Sequence, residues 1–261
     1  MREQPITLQN VRIAVTNQKG GVAKTTTTYT LAAAYAEQGK SVLSVDLDPQ
    51  ASLTFSTGID PDHLSKSLHD VMIGTAPIES VIVSVNGFDL VPSCIDLAGA
   101  EVHLLTRTGR EHALARALRD VSDNYDVVLI DCPPSLGILT INGLTAAESI
   151  IVPLQCETLS HRGVGQLLDT IDDVRAFTNP DLRVLGIVPT MFDQRTKHSR
   201  EILEDVQERY GLHVFSPAVP KSVRFAEAPG LGKTILEYAS KSKGAIAYRE
   251  LATAIWSAAH E

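Results

Sequence analysis

Lys19-Gly20-Gly21-Val22-Ala23-Lys24-Thr25-Thr26 is the stretch that decides the fold of this chain. The apolar run Val11 to Val15 precedes it, and an alanine-rich segment with helical spacing, 25–38, follows and is stopped by Gly39. A strand, a glycine-rich turn and a helix start make a cradle for phosphates. Backbone N–H groups of such a turn point inward, and the helix N-terminus adds partial positive charge. Lys24 is placed to reach the β and γ phosphates of a nucleotide, and the Thr25 hydroxyl to hold Mg²⁺. Lys19 is a second lysine where an ordinary phosphate loop needs one, so it calls for a separate job. The strict pattern G-x-x-x-x-G-K-[ST] is not met, because Gln18 and Ala23 stand at its glycine positions. The methyl of Ala23 is tolerable if that residue has helical dihedrals, because only positive φ strictly favours glycine.

Outward from the loop, short apolar runs alternate with helical patterns. Strands are predicted at 11–16, 41–45, 88–91, 125–130, 149–152, 184–188 and 214–215. Helices are predicted near 67–72, 96–106, 110–122, 136–147, 160–177, 199–210 and 243–259. Strands without polar alternation, separated by helices, imply βαβ units and a parallel sheet buried on both faces. The expected fold class is α/β: one doubly wound, mostly parallel sheet with helices on both faces, of the phosphate-loop NTPase kind. No Ser/Gly-rich linker or internal repeat divides the chain, so 1–261 reads as one domain with a short polar extension at 1–10.

Two carboxylate motifs accompany the loop. Val45-Asp46-Leu47-Asp48-Pro49-Gln50 and Val127-Val128-Leu129-Ile130-Asp131-Cys132-Pro133-Pro134 each end an apolar run on an aspartate. Open α/β sheets place their chemistry at such strand tips. Taken alone, either aspartate reads as a helix cap or turn former. Beside a lysine-rich loop, Asp131 reads as the carboxylate that holds a metal-bound water opposite Thr25. Pro133 and Pro134 stiffen the segment that would sense the γ phosphate.

Composition sets bounds on the rest. The chain has 261 residues, 44% of them hydrophobic, and a net charge of −8. Residues 1–182 hold 12 Lys/Arg against 22 Asp/Glu, whereas 183–249 hold 11 against 7. An acidic protein with a basic C-terminal third can still meet a polyanion locally. Cys94, Cys132 and Cys156 have no metal spacing and read as reduced thiols of a cytosolic protein. The segment 1–10 lacks the apolar core of an export signal, and no run approaches the ~18 residues of a spanning helix. No room is expected before Val11 for a separate sequence-reading DNA domain.

A lysine followed by two glycines, then Lys-Thr, resembles the signature of the ParA/MinD group of phosphate-loop ATPases, whose members usually carry glycine where this chain has Ala23. The runs 17–27, 45–50 and 130–135 are similar to the ParA/Soj branch, the chromosome- and plasmid-partition ATPases. Thr190-Met191-Phe192-Asp193-Gln194-Arg195-Thr196 and Val219-Pro220-Lys221-Ser222-Val223-Arg224-Phe225-Ala226-Glu227-Ala228-Pro229 resemble two further segments of that branch. The similarity spans about 10–251.

The resemblance implies ATP and Mg²⁺ as cofactors and weak ATP hydrolysis. Gly20, Gly21, Val22, Ala23, Lys24, Thr25, Thr26 and Pro220 would bind the nucleotide, with Thr25, Asp46 and Asp131 around the metal. Lys24 would hold phosphates of its own subunit, and Lys19 would cross to the partner's nucleotide in an ATP-bound homodimer. Asp48 matches the residue that supports water attack. Arg195 and Arg224 fall on positions that bind double-stranded DNA without sequence preference; Lys197, Lys221, Lys241 and Lys243 join them on charge alone. The implied role is DNA segregation on the nucleoid, in the cytoplasm, with a ParB-type centromere-binding partner and no membrane. Other classes share the loop. A MinD-like ATPase needs a basic amphipathic membrane helix, whereas the stripe Tyr248, Leu251, Ala252, Ile255 and Trp256 is expected to pack into the core. An iron–sulfur carrier needs paired cysteines. A small-molecule ligase, of the cobyrinate or dethiobiotin type, needs a substrate pocket instead of Arg195 and Arg224.

Overall fold

A computed structural model describes residues 10–156, 160–193 and 197–261. Its strands are β1 (Val11–Val15), β2 (Val42–Asp46), β3 (Val83–Val85), β4 (Phe88–Val91), β5 (Val127–Asp131), β6 (Ser149–Gln155) and β7 (Arg183–Thr190). They form one sheet in the order β3-β4-β2-β5-β1-β6-β7. Every pairing is parallel except β3 with β4. The helices are α1 (Lys24–Glu37), α2 (Ser52–Ser56), α3 (Leu68–Ile73), α4 (Leu97–Leu105), α5 (Ala113–Leu118), α6 (Ile138–Ala146), α7 (Ser160–Phe177), α8 (Lys197–Tyr210), α9 (Arg224–Glu227), α10 (Ile235–Tyr238) and α11 (Lys243–Ala259). The doubly wound, mostly parallel sheet expected from the sequence is the observed one.

The sheet is buried on both faces, as the unbroken apolar runs require. Val11, Ile13 and Val15 of β1 and Val127 and Leu129 of β5 face a core shared with α1, α10 and α11. Ala14, Val128 and Ile130 point the other way, into a core built with α3 to α8. The period of two along a strand thus sorts one continuous apolar sequence between two cores. Tyr248, Leu251, Ala252 and Ile255 of α11 are fully buried with the α1 residues Leu31, Ala32 and Tyr35. These four residues of the expected stripe are core, whereas the fifth, Trp256, is half-buried and packs against it.

Several predicted elements are trimmed. The 110–122 helix is a single helix of six residues, α5, flanked by 3₁₀ turns at Arg110–His112 and Ser122–Asn124. The 214–215 strand is one isolated bridge between Ile187 and Val214. Gly186 explains how that segment comes so near: a Cβ there would lie 2.5 Å from the His213 carbonyl oxygen.

The condition under which a methyl at position 23 is tolerated is not met. Ala23, which precedes α1, has φ 68° and ψ 34°, the left-handed region rather than helical dihedrals. In that region the Cβ crowds the carbonyl oxygen, costing roughly 1–2 kcal/mol for any residue but glycine. Glycine would relieve the crowding while giving part of the gain back through a more flexible unfolded chain. Ala23→Gly is therefore expected to stabilise the protein by about 0.5–1 kcal/mol, a rise in Tm of roughly 1–4 °C in thermal denaturation.

Candidate nucleotide site

The site lies where the central strands end. β1 is flanked by β5 and β6, and β5 by β2, so the residues following Val15, Asp46 and Asp131 emerge at one edge. Val15 and Asp46 are both in register with Asp131. The loop 16–23 is held by one of its own side chains and by one from outside it. Asn17 donates its Nδ2 to the Pro153 carbonyl (2.8 Å), and its Oδ1 accepts the Lys19 N–H (2.9 Å). Thr190, at the end of β7, donates its hydroxyl to the Val22 carbonyl (2.9 Å). Val22 itself is fully buried.

Lys24 folds back into the loop, donating its Nζ to the Lys19 carbonyl at 3.1 Å. Its amine is largely buried, and burial lowers its pKa, while the charges of Asp131 and Asp48 pull it upward. Lys19 is half-buried at the loop's rim, and Gly20 and Gly21 beside it are exposed. A Cβ on either glycine would meet nothing within 4 Å. Thr26 is half-buried in the first turn of α1.

Asp131 is 1% exposed, and two hydroxyls of α1 grip it. Thr25 donates to Oδ2 (2.7 Å) and Thr28 to Oδ1 (3.1 Å). Burial, and then the neighbouring carboxylate of Asp46, push the Asp131 pKa up to about 8; Thr25, Lys24 and Thr28 offset part of that. Asp46 is buried completely and raised to about 7 by desolvation. Its Oδ2 accepts from the Thr54 N–H (2.8 Å) and hydroxyl (2.7 Å), its Oδ1 from the Asp48 N–H (3.3 Å). It therefore anchors the loop that presents Asp48, which is half-buried beside it. Ser93 supports the same loop, donating its hydroxyl to the Asp48 carbonyl (2.8 Å).

This arrangement fits a phosphate chain and a hard cation. The open N–H turn and the Lys24 ammonium suit phosphates, and magnesium would take the Thr25 hydroxyl and Asp131. Magnesium keeps several waters and needs only one or two protein oxygens. That accords with the site, since among the described residues no group of three metal-ligating side chains converges. Such a cation supplies charge to offset the phosphate oxygens when bound.

The basic residues divide. Lys221, Arg224, Lys241 and Lys243 are exposed and form no ion pair among the described residues. Lys221 and Lys243 line one cavity of about 590 Å³ with Pro220, Phe192 and Glu250. Pro220 is bridged to Phe192 beyond the end of β7. Arg195 lies outside the described residues, as does the side chain of Lys197 at the start of α8. Asn17, Thr28, Thr54, Ser93 and Thr190 escaped the sequence reading. Thr28, one helical turn beyond Lys24, was the one with a legible signal.

The raised carboxylates have a consequence for the unliganded protein. An unfolded aspartate titrates near 3.9, so a folded-state value of about 8 for Asp131 favours the fold at low pH. That contribution is complete below about pH 4 and is lost as pH rises through 8. The Tm of the nucleotide-free protein is expected to fall between pH 5 and about 8.5, and Asp131→Asn to flatten the fall, read by scanning fluorimetry at fixed ionic strength.

The family described as an AAA domain matches residues 10–184. The sporulation initiation inhibitor protein Soj of Bacillus subtilis is 43% identical over 92% of this chain and 96% of its own length. The chromosome-partitioning ATPase Soj of Thermus thermophilus is 46% identical over 96% of this chain and 97% of its own. A crystal structure named cobyrinic acid a,c-diamide synthase, from Mycobacterium smegmatis with bound ADP and magnesium, is 55% identical, with a TM-score of 0.85 over 95% of this chain and 94% of that one. By the extent and level of these similarities, the chain belongs to the ParA/Soj family of the ParA/MinD group.

Proposed function

We propose that the protein is an ATP-dependent dimerising switch that holds DNA without sequence preference and serves chromosome or plasmid segregation. The observation that carries the reading is the pair of lysines. Lys24 turns its amine inward onto the Lys19 carbonyl, while Lys19 stands half-buried at the rim of the same open turn. One amine would serve the subunit's own phosphates. The other would reach a second subunit's nucleotide, adding positive charge in trans in the manner of an arginine finger. Thr25 and Asp131 would hold Mg²⁺, the loop Gly20–Thr26 and Pro220 the ATP. Asp48, presented by the anchored Asp46, would orient the attacking water.

ATP then favours the dimer because the dimer alone completes the site, and slow hydrolysis dissolves it. Arg224 with Lys221, Lys241 and Lys243, and Arg195 and Lys197, supply phosphate contacts that a dimer doubles. Such contacts carry position but no sequence information. A ParB-type centromere-binding protein is the expected partner that accelerates hydrolysis. The nucleoid is the expected location, and no described helix is long and apolar enough to cross a membrane.

The name of the mycobacterial structure favours a second reading, an ATP-dependent ligase that activates a carboxylate for amide formation. Amide formation from glutamine needs a reactive thiolate. Here Cys132 and Cys156 are buried and burial raises both thiols, Cys156 to about 12, while Cys94 is in contact with the Ser67 hydroxyl at 3.1 Å. That counts towards the switch.

Gel filtration with ATP and with ADP tests the central claim. Wild type should dimerise with ATP only, and Lys19→Ala should stay monomeric in both; a monomeric wild type in every condition points to the ligase. Arg224→Glu should leave ATP binding intact but lower DNA retention at low salt by roughly tenfold or more, with a shallower salt dependence. Unchanged retention would remove Arg224 from the DNA surface.

A further inference from the structure

Thr27 lies in the same first turn of α1 as Thr25, on another face. Its hydroxyl is hydrogen-bonded to the Tyr248 hydroxyl of α11 at 2.9 Å, and both groups are buried. The Tyr248 ring in turn meets the Phe225 ring edge to face, centroids 5.9 Å apart at 76°. Phe225 occupies a notch left by Gly244, at the start of α11. A Cβ at Gly244 would lie 2.6 Å from Phe225 Cζ and 2.9 Å from Cε2. Gly244 has no left-handed backbone, so its need for glycine is this close approach alone. Phe225 is the second residue of α9, a helix of one turn whose first residue is the exposed Arg224. Neighbouring positions on a helix point about 100° apart, so the ring faces inward where the guanidinium faces out.

We infer that Tyr248 and Phe225 form a packed relay that sets the position of Arg224 according to the state of the phosphate loop. The inference rests on the switch reading above. In the structure Thr25 spends its hydroxyl on Asp131. A magnesium ion held at Thr25 would take that hydroxyl from its present partner, so the first turn of α1 changes its contacts on loading. Thr27 carries the change to Tyr248, and the ring pair carries it to α9. The path is short and contiguous, and each link is a rigid ring or a buried hydrogen bond. Tyr248 and Phe225 are positioning residues, since neither is part of the phosphate site or the exposed cationic set.

The test compares wild type, Gly244→Ala, Phe225→Leu and the double variant on a DNA-coated surface, with ATP and with ADP. Affinity for a fluorescent ATP analogue and Tm are read alongside. Gly244→Ala should keep nucleotide affinity within about twofold but cut ATP-dependent DNA retention by roughly tenfold, the scale of a typical coupling. Phe225→Leu lacks the atoms the new methyl would strike, so the double variant should retain DNA no worse than Phe225→Leu alone, a non-additivity expected only of touching partners. Tyr248→Phe, which removes one hydroxyl and no ring, should narrow the ATP-to-ADP ratio of retention. If wild type discriminates ATP from ADP on DNA and Gly244→Ala does so equally, the relay is wrong and the switch reading stands. Additive losses in the double variant overturn it too. A wild type whose DNA retention ignores nucleotide sinks the switch reading, and the relay with it.

Discussion

Asp131 joins the sheet to the first helix. It ends the strand that lies between β1 and β2, in register with the last residue of each, and its two oxygens hold the hydroxyls of Thr25 and Thr28. A carboxyl group so thoroughly buried needs both donors, because polar oxygens left without partners there would cost about 1–3 kcal/mol. The pairing fixes the helix N-terminus over the strand tips, and the position of the phosphate loop follows from that. Lys24 adds the third constraint, a buried amine closing the loop on itself through the Lys19 carbonyl. The site is thus preorganised by internal bonds whose groups are the same ones a nucleotide and its cation would engage.

Backbone strain gathers around the same edge. Among the described residues, the non-glycine positions with positive φ are Ala23 in the phosphate loop, Ala51 after the Asp48 turn, Met191 just past β7, and Asn86. Asn86 with Gly87 turns the β3–β4 hairpin, where asparagine in that conformation is ordinary. The other three border the site, each on a different loop. Strain of this kind persists only where surrounding contacts over-determine the backbone. Here those contacts are identifiable: the Thr190 bond to Val22, the Thr54 bonds to Asp46, and the Phe192–Val219 pairing.

The fold was legible because its strands are unbroken apolar runs and its loop carries a local pattern of lysines and glycines. Boundaries failed where long-range contact decides them. β3 is three residues long and half-exposed at the sheet's edge, a pattern too short to read. α2 follows a left-handed Ala51 that no propensity would place there. The dihedrals of Ala23 were not legible, because residue type is a weak guide to φ in a tightly curled loop. The partners of Asp46 were illegible for a related reason: Thr54 is eight residues downstream and is brought back by a turn. The phosphate-loop lysines, by contrast, needed only sequence-local reasoning to be placed at one turn.

The pairing of α1 with α11 also bears on how the chain is made. Leu31 and Tyr35, near the beginning, bury themselves against Leu251 and Ile255, more than two hundred positions later. At a synthesis rate of about 5–20 residues per second, the ribosome needs roughly 10–40 s to supply that second helix. Until it emerges, the apolar outer flank of the first helix stays uncovered on the nascent polypeptide, exposed to chaperones or to a neighbouring chain on the same message. The helix that starts at the phosphate loop, although encoded among the earliest residues, is therefore one of the last elements to be covered on its outer flank.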